Sequence, residues 1–507
     1  MSALACLALL CFPLLASSAP RLAYAVADAS GPFPVRVIEG AQPPGTAAVA
    51  RGSYDAASYT ATGWALLTIS ANSSSSFNAS LAAYGAGFLE GFLTQPAMSA
   101  FASNTGALEP NSARLDKFLE DNLAWMRSQV AALAARDSYW AHLGTVLDQI
   151  QGLVDGQAAA GGKQSFKQVY QGLVNGGDIF NLAGLYGVSA EQLQRTPVVA
   201  RLAAAGRLEE QLNSSSSSSR GGRTDHCSAL VRLTEGNADI VVAHTTWSGL
   251  ENMGRALKRY DLALSGISGS AVPGRFTALS GYPGLLQFSS DDMYVLGSGL
   301  VTLETTIDND NKTLAKEYKS TAVVLEWLRN VLANRLATDG PSWAALFSKY
   351  ASGTYTNSWM IVDSNLFQPG QPPPANTLTV LEEMPGNIVV RDRTPVLNGE
   401  AGSWPASPWG AGTWASFNVV SDERLFVLSG QQQLVDEYGG EKGPGAFFTL
   451  LNTSRANIFR REAPSVQDLP SMQRVIRYNE FKTDPLSRLA CGVAPPYSAT
   501  NAIADRR

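Results

Sequence analysis

The chain predicts a layered α+β fold, and two observations carry that expectation. Up to about residue 210, apolar residues recur mainly at helical spacing. From residue 227 onward, short alternating or β-branched runs follow one another, broken by turn residues and a few helical stretches. No period of 20–50 residues repeats, which sets solenoids and propellers aside.

Residues 1–19 contain an apolar run, Leu4 to Ala16, followed by the small residues Ser17, Ser18 and Ala19. The run is short for a bilayer span and is expected to be a cleaved signal peptide. Between residues 28 and 70, Val35–Ile38 and Trp64–Ile69 are β-like, and Asn72 to Ser80 is a Ser-rich turn. Leu81 to Thr94 should be a Gly/Ala-rich helix whose small residues let a neighbour approach closely. Ala113 to Arg136 is helical, with Leu115, Phe118, Leu119, Leu123, Met126, Val130 and Leu133 along one face. Tyr139 to Leu153 should form the next helix, carrying His142, and Val188 to Ala205 one or two more. Residues 20–210 thus read as a mostly helical N-terminal fragment. Residues 211–226, with Asn213, Ser214–Ser219 and Arg220-Gly-Gly-Arg223, read as a linker or propeptide.

In the C-terminal fragment, 227–507, strands are expected at 228–233, 239–244, 276–279, 293–296, 299–306, 359–363, 377–382 and 387–391. Helices are expected at 245–260, where Met253, Ala256, Leu257 and Tyr260 make an apolar face, and at 321–337. Gln371-Pro-Pro-Pro-Ala is a surface loop. Trp404, Trp409 and Trp414 stand among Gly and Pro and suggest an aromatic loop, a packed lid in preference to a substrate rim.

Composition excludes several functions. Hydrophobic residues make up 45% and charged residues 16%, as in ordinary globular proteins with a substantial core. The net charge is −5 with no long basic run, which argues against nucleic-acid binding. After signal removal no integral membrane segment is expected. Five acceptor sequons, at Asn72, Asn78, Asn213, Asn311 and Asn452, agree with secretory passage. Gly161-Gly-Lys163 lacks both the leading glycine (Gln157) and the hydroxyl residue (Gln164) of a phosphate loop. Only His142, His226 and His244 are present, and Gly266-Ile-Ser-Gly-Ser270 misses the serine-hydrolase elbow by its last residue. A Ser-His-Asp enzyme and a zinc site are both disfavoured, and no metal or cofactor is expected.

One cysteine stands out. Cys6 and Cys11 would leave with the signal, so Cys227 and Cys491 remain. Cys227 heads the run Ser228–Leu233; after a turn at Thr234-Glu-Gly-Asn, a second run delivers His244. Such a hairpin brings a thiol and an imidazole together on a rigid scaffold. A Ser/Gly-rich leader running into a Cys-headed strand suggests cutting at His226–Cys227. The new α-amino group, with a reference pKa of about 7.7–8.0, could take the thiol proton. The blander readings are a buried structural cysteine or a Cys227–Cys491 disulfide.

The stretch His226-Cys-Ser-Ala-Leu230, with Val242-Ala-His-Thr-Thr-Trp-Ser248 and Asn252-Met-Gly-Arg255, resembles the phospholipase B-like proteins. Further matches are Gly85 to Thr94, Asn175-Gly-Gly-Asp-Ile-Phe180, Ser298-Gly-Leu-Val-Thr-Leu-Glu-Thr-Thr306 and Ser352-Gly-Thr-Tyr-Thr-Asn-Ser-Trp-Met360. Ala415-Ser-Phe-Asn418, Arg455-Ala-Asn-Ile-Phe-Arg460 and Arg477-Tyr-Asn-Glu-Phe481 follow. These relatives are lysosomal or secreted N-terminal-nucleophile hydrolases. The resemblance implies one large αββα sandwich assembled from two chain fragments, each the other's partner. It makes Cys227 nucleophile and, through its amine, base. It places His244 and Trp247 in the pocket, Asn418 as donor to a developing oxyanion, and Arg455 as anchor for a carbonyl or anion. Thr305 and Thr306 would stand behind them, and His226 supplies the carbonyl attacked in self-cleavage. Similar proteins pair the counterpart of Cys491 with a nearby cysteine that this chain lacks. The implied activity is release of fatty acids from phospholipids. Open alternatives are cleavage of N-acyl amides or peptides, or a self-cleaving lipid-binding glycoprotein without turnover.

Overall fold

The computed structural model describes residues 19–504 except 29–32, 34, 42–46, 75–76, 107–110, 187–226, 268, 270, 308, 312, 315–319, 401–409 and 488–500. The expected signal segment, the 188–205 helices, the linker, His226, Asn213, Trp404, Trp409 and Cys491 therefore lie wholly or almost wholly outside the described residues.

The N-terminal strands are β1 (Arg21–Ala27), β2 (Val35–Glu39), β3 (Ala48–Asp55) and β4 (Ala65–Asn72). After Cys227 come β5 (Cys227–Leu233), β6 (Ile240–Thr246), β7 (Ala256–Ala263), β8 (Phe276–Gly281), β9 (Met293–Leu296) and β10 (Leu300–Thr306). The last four are β11 (Asn357–Asp363), β12 (Leu378–Met384), β13 (Asn387–Asp392) and β14 (Thr413–Ser416). Eleven strands make one mixed sheet in the order β13-β12-β11-β10-β9-β8-β7-β4-β3-β1-β2. Among the described residues its one parallel pair is β4–β7, running from Ala65↔Ala256 to Asn72↔Ala263, which joins the N-terminal strands to those after Cys227. Three strands, β14-β5-β6, form a second sheet.

One face of the large sheet is covered by helices. Leu89 and Leu93 of the Ala79–Asn104 helix pack on Leu67, Ile69, Tyr260 and Leu262, and Trp343 and Phe347 pack on Trp359 and Ile361. The Ala79–Asn104 helix lies tightly on the Ser138–Ala159 helix, as its small residues led one to expect. A Cβ on Gly87 would stand 1.9 Å from the Gln149 carbonyl oxygen, and one on Gly156 1.9 Å from that of Phe88. The other face of the large sheet meets the small one: Leu303, Met360 and Val380 share a core with Ala229, Val231 and Val241. Phe459 and Met472, on the Ser454–Glu462 and Leu469–Ile476 helices, join that same core. The molecule is thus a mixed α/β domain with its small sheet held between the large sheet and C-terminal helices.

Two expectations need correcting. Residues 245–260 are not a helix: after Thr246 the chain makes a 3₁₀ turn at Leu250–Asn252 and enters β7. Ala256, Lys258, Tyr260 and Leu262 are buried while Leu257 and Arg259 are exposed. A lysine on the buried face hid this alternation, and it is buried because its ammonium meets Glu90 at 2.8 Å. Trp414 is not in an aromatic loop but in β14, 1% exposed, where it pairs with Val231. Elements not anticipated include strands β1, β3 and β14 and the helices Phe166–Val174, Gly340–Phe347, Ser454–Glu462 and Leu469–Ile476.

Candidate active site

β5 is the middle strand of the small sheet, covered on both sides, so every residue from Cys227 to Leu233 is buried. The β5–β6 register sets Cys227 opposite Thr246 and Ala229 opposite His244. The far end of one strand thereby comes beside the head of the other. β14 flanks β5 on its second edge, with Ser416 opposite Ala229, and the chain then turns sharply through Asn418 at φ 72°. Asparagine is among the few residues besides glycine that visit this left-handed region readily.

That turn aims the Asn418 side chain at the head of β5. Its Oδ1 accepts the backbone N–H of Cys227 at 3.1 Å and an Arg455 Nη1 donor at 2.8 Å. Its Nδ2 donates to the carbonyl of Thr306 at 2.7 Å. The neighbours fix which way the amide faces, because Thr306 can only accept there and the other two groups can only donate. Arg455 also donates to the Cys227 carbonyl at 2.7 Å. Its guanidinium lies 4.9 Å from the Trp247 ring centre and 5.7 Å from that of Phe417. Trp247 is 3% exposed and donates its indole N–H to the carbonyl of Ile503. Thr305 receives the backbone N–H of Asn418 at 3.4 Å, and its hydroxyl meets that of Ser416 at 2.6 Å.

His244 stands one step back. Its Nε2 lies 2.8 Å from the carbonyl of Glu304, which fixes the proton on that nitrogen. The Thr246 hydroxyl lies 3.4 Å from His244 Nδ1 and donates to the carbonyl of Asp291 at 3.2 Å. Burial pushes the imidazole down to about 4, so it is neutral at any mildly acidic or neutral pH. Its Nε2 is engaged by the Glu304 carbonyl.

The structure therefore gathers Cys227, Asn418, Arg455, Trp247, Thr305 and Thr306 at the head of β5, with His244 behind them. Thr246, Ser416 and Phe417 belong to the same assembly and were not picked out from sequence. Thr246 could have been, since it shares the strand face of His244 two residues on. Among the sequons, Asn72, Asn78 and Asn452 are exposed. Asn311 is half-buried, and its Nδ2 donates to the carbonyl of Leu428. Two cavities, of about 620 and 440 Å³, lie elsewhere; neither is lined by Cys227, Asn418 or Arg455. Among the described residues no group of three His, Cys, Asp or Glu is placed to hold a metal ion. No described helix is long and apolar enough to cross a membrane.

Comparison with known proteins fits this arrangement into a family. The family model described as Phospholipase B matches residues 50–507. "Putative phospholipase B-like 2" of Homo sapiens is 38% identical over 462 residues, covering 88% of this chain and 70% of the relative. "Phospholipase B-like protein B" of Dictyostelium discoideum is 36% identical over 431 residues, covering 84% and 68%. The chain belongs to the phospholipase B family.

Proposed function

We propose that the protein is a self-processed acyl hydrolase that uses Cys227 as an N-terminal nucleophile and releases fatty acids from phospholipids. The carrying observation is the grip on the Cys227 nitrogen, a backbone amide bonded by a buried side-chain oxygen that also binds a guanidinium. Any buried backbone N–H needs an acceptor; what favours an amine held as base is that the acceptor here is a side-chain amide that also binds the Arg455 guanidinium and the Thr306 carbonyl. The layer order of helices, large sheet, small sheet and helices supports the same reading, as do the names of the relatives. The exposed sequons support passage through the secretory pathway to a lysosomal or extracellular destination.

In maturation the Cys227 thiol adds to the carbonyl of His226, and the peptide nitrogen leaves as the new amine, taking the thiol proton. Water then hydrolyses the resulting thioester and frees a carboxylate at His226. In turnover the amine takes the thiol proton, the thiolate adds to the ester carbonyl, and the C–O bond breaks as the alcohol (the lysophospholipid) leaves with the proton from the ammonium. Water then hydrolyses the thioester, freeing the fatty acid and restoring the thiol. Asn418 Nδ2 carries a second N–H besides the one on Thr306, and this is its donor to the oxyanion. Arg455 shares the Asn418 oxygen with the nucleophile's nitrogen, so its charge favours the neutral, proton-accepting amine over the ammonium.

The deciding experiment incubates the processed protein with panels of phospholipids and N-acyl amides. Fatty-acid release from phospholipids by wild type but not by Cys227→Ala is the expected result. Turnover confined to amides would make the enzyme an amidase. Processing without turnover on either panel would leave a lipid-binding glycoprotein and defeat the hydrolase reading.

A further inference from the structure

Three stretches that this chemistry leaves largely unused, 175–180, 298–306 and 352–360, converge behind the groups around Cys227. Asp178 accepts the backbone N–H groups of Glu326 (2.9 Å) and Trp327 (3.3 Å) at the start of the Glu326–Leu336 helix, and the hydroxyl of Thr354. Gly177 lies under the Tyr355 ring, where a Cβ would stand 2.4 Å from a ring carbon, so the turn sets that ring's position. The Tyr355 hydroxyl then lies 2.7 Å from Asp292 Oδ2 and 3.3 Å from Glu304 Oε1.

Asp292 and Glu304 are both 0% exposed, and the Tyr355 hydroxyl lies within hydrogen-bond reach of both carboxyl groups. That hydroxyl has one proton to donate, so two bare carboxylates cannot both be bonded by it, and the second contact needs a proton on one of the carboxyl groups. The surroundings offer little positive charge. Asp291, Glu326, Asp178 and Glu383 are acidic; Arg329 is ion-paired to Glu383 and Arg255 is set against Asp291; His244 is neutral; Tyr294 stands 3.1 Å from Asp292 Oδ1. Burial, the largest cause, pushes the Asp292 carboxyl up to about 7.

The backbone of this pair is what the groups around Cys227 hang on. Glu304 N–H donates to the Asp292 carbonyl at 3.1 Å. The Glu304 carbonyl holds His244 and the Asp291 carbonyl holds Thr246, while the next two residues, Thr305 and Thr306, hold Asn418. We propose that Asp292 and Glu304 are positioning residues, a proton-sharing carboxyl pair whose proton keeps the groups around Cys227 assembled. Loss of that proton sets two carboxylates against each other and loosens the segment that carries Asn418. The role rests on reading Cys227 as the nucleophile, and it makes the enzyme one that works on the acid side of neutrality.

The test is Asp292→Asn, whose amide can donate to Glu304 without a titrating proton. Wild-type hydrolysis should fall about tenfold per pH unit once the pair titrates, near neutrality. In Asp292→Asn that basic limb should move up by a pH unit or more. Thermal midpoints give a second readout that needs no turnover. A carboxyl raised in the folded state binds its proton more tightly there than in the unfolded chain. Stability should therefore fall as pH rises from about 4 to about 7 in wild type, and less steeply in the variant. Should Asp292→Asn fail to fold, Glu304→Gln takes its place with the same expectations. An unchanged basic limb together with an unchanged slope of midpoint against pH overturns the proposal. If no substrate is turned over by either protein, the hydrolase reading falls, and the midpoint slopes still decide the pair.

Discussion

Asn418 is held by its backbone as firmly as by its side chain. At φ 72° it sits where a Cβ costs roughly 1 kcal/mol, so Asn418→Ala would mix lost chemistry with backbone strain. Asn418→Gly removes the amide without that strain and is the cleaner variant. Both should lower kcat by about 10²–10³, as loss of one oxyanion donor typically does, while the chain still folds. Stopped assays on processed protein check this, and near-normal turnover would move the oxyanion donor elsewhere. Cys227→Ala should stay a single uncleaved chain, silent in turnover but folded, since one small side chain replaces another. Cys227→Ser keeps a hydroxyl and should cleave itself slowly. N-terminal sequencing of each after acid incubation distinguishes them.

At the scale of elements, the helix pair built on Gly87 and Gly156 has no slack. Gly156→Ala should lower stability by at least the roughly 1–3 kcal/mol of an overpacked core, because the obstacle is a backbone carbonyl rather than a yielding side chain. Denaturant midpoints measure it. On the same helix as Gly156, His142 is 1% exposed with neither ring nitrogen hydrogen-bonded among the described residues, and burial pushes it down to about 3. The unfolded chain takes up that proton below about pH 6.5 and the folded one does not. His142 should therefore cost stability at about 1.4 kcal/mol per pH unit between about 6.5 and 3, a slope that His142→Gln should remove.

These cases also show what sequence could and could not reveal. Helices with one apolar face and strands with clean alternation are legible, and β5 and β6 lie where their composition puts them. β7 is not, because its buried face carries Lys258, whose partner Glu90 stands 168 residues away. The hairpin at Cys227 is visible locally. The contacts of Asn418 and Arg455 with it are matters of tertiary register that no spacing encodes, and only the resemblance pointed to those two residues.

For the whole molecule, the parallel β4–β7 seam means that a cut at Cys227 would leave four strands of a continuous sheet in one fragment and seven in the other. Backbone pairing, the buried Glu90–Lys258 ion pair and the Asp178 cap on the Glu326–Leu336 helix all cross between the two fragments. We expect two fragments that co-elute on gel filtration and separate only in denaturant, without reductant. Separation in plain buffer would refute this.

On the proposed self-cleavage, the grip on Cys227 would also set a clock on synthesis. Its nitrogen is held by a residue 191 positions later and its carbonyl by one 228 positions later. While the ribosome is still making that C-terminal stretch, Cys227 is already outside but has nothing to hold it. A nascent or truncated chain ending before Arg455 should therefore remain uncut, so that a cut end at residue 227 certifies a polypeptide that has been both completed and folded.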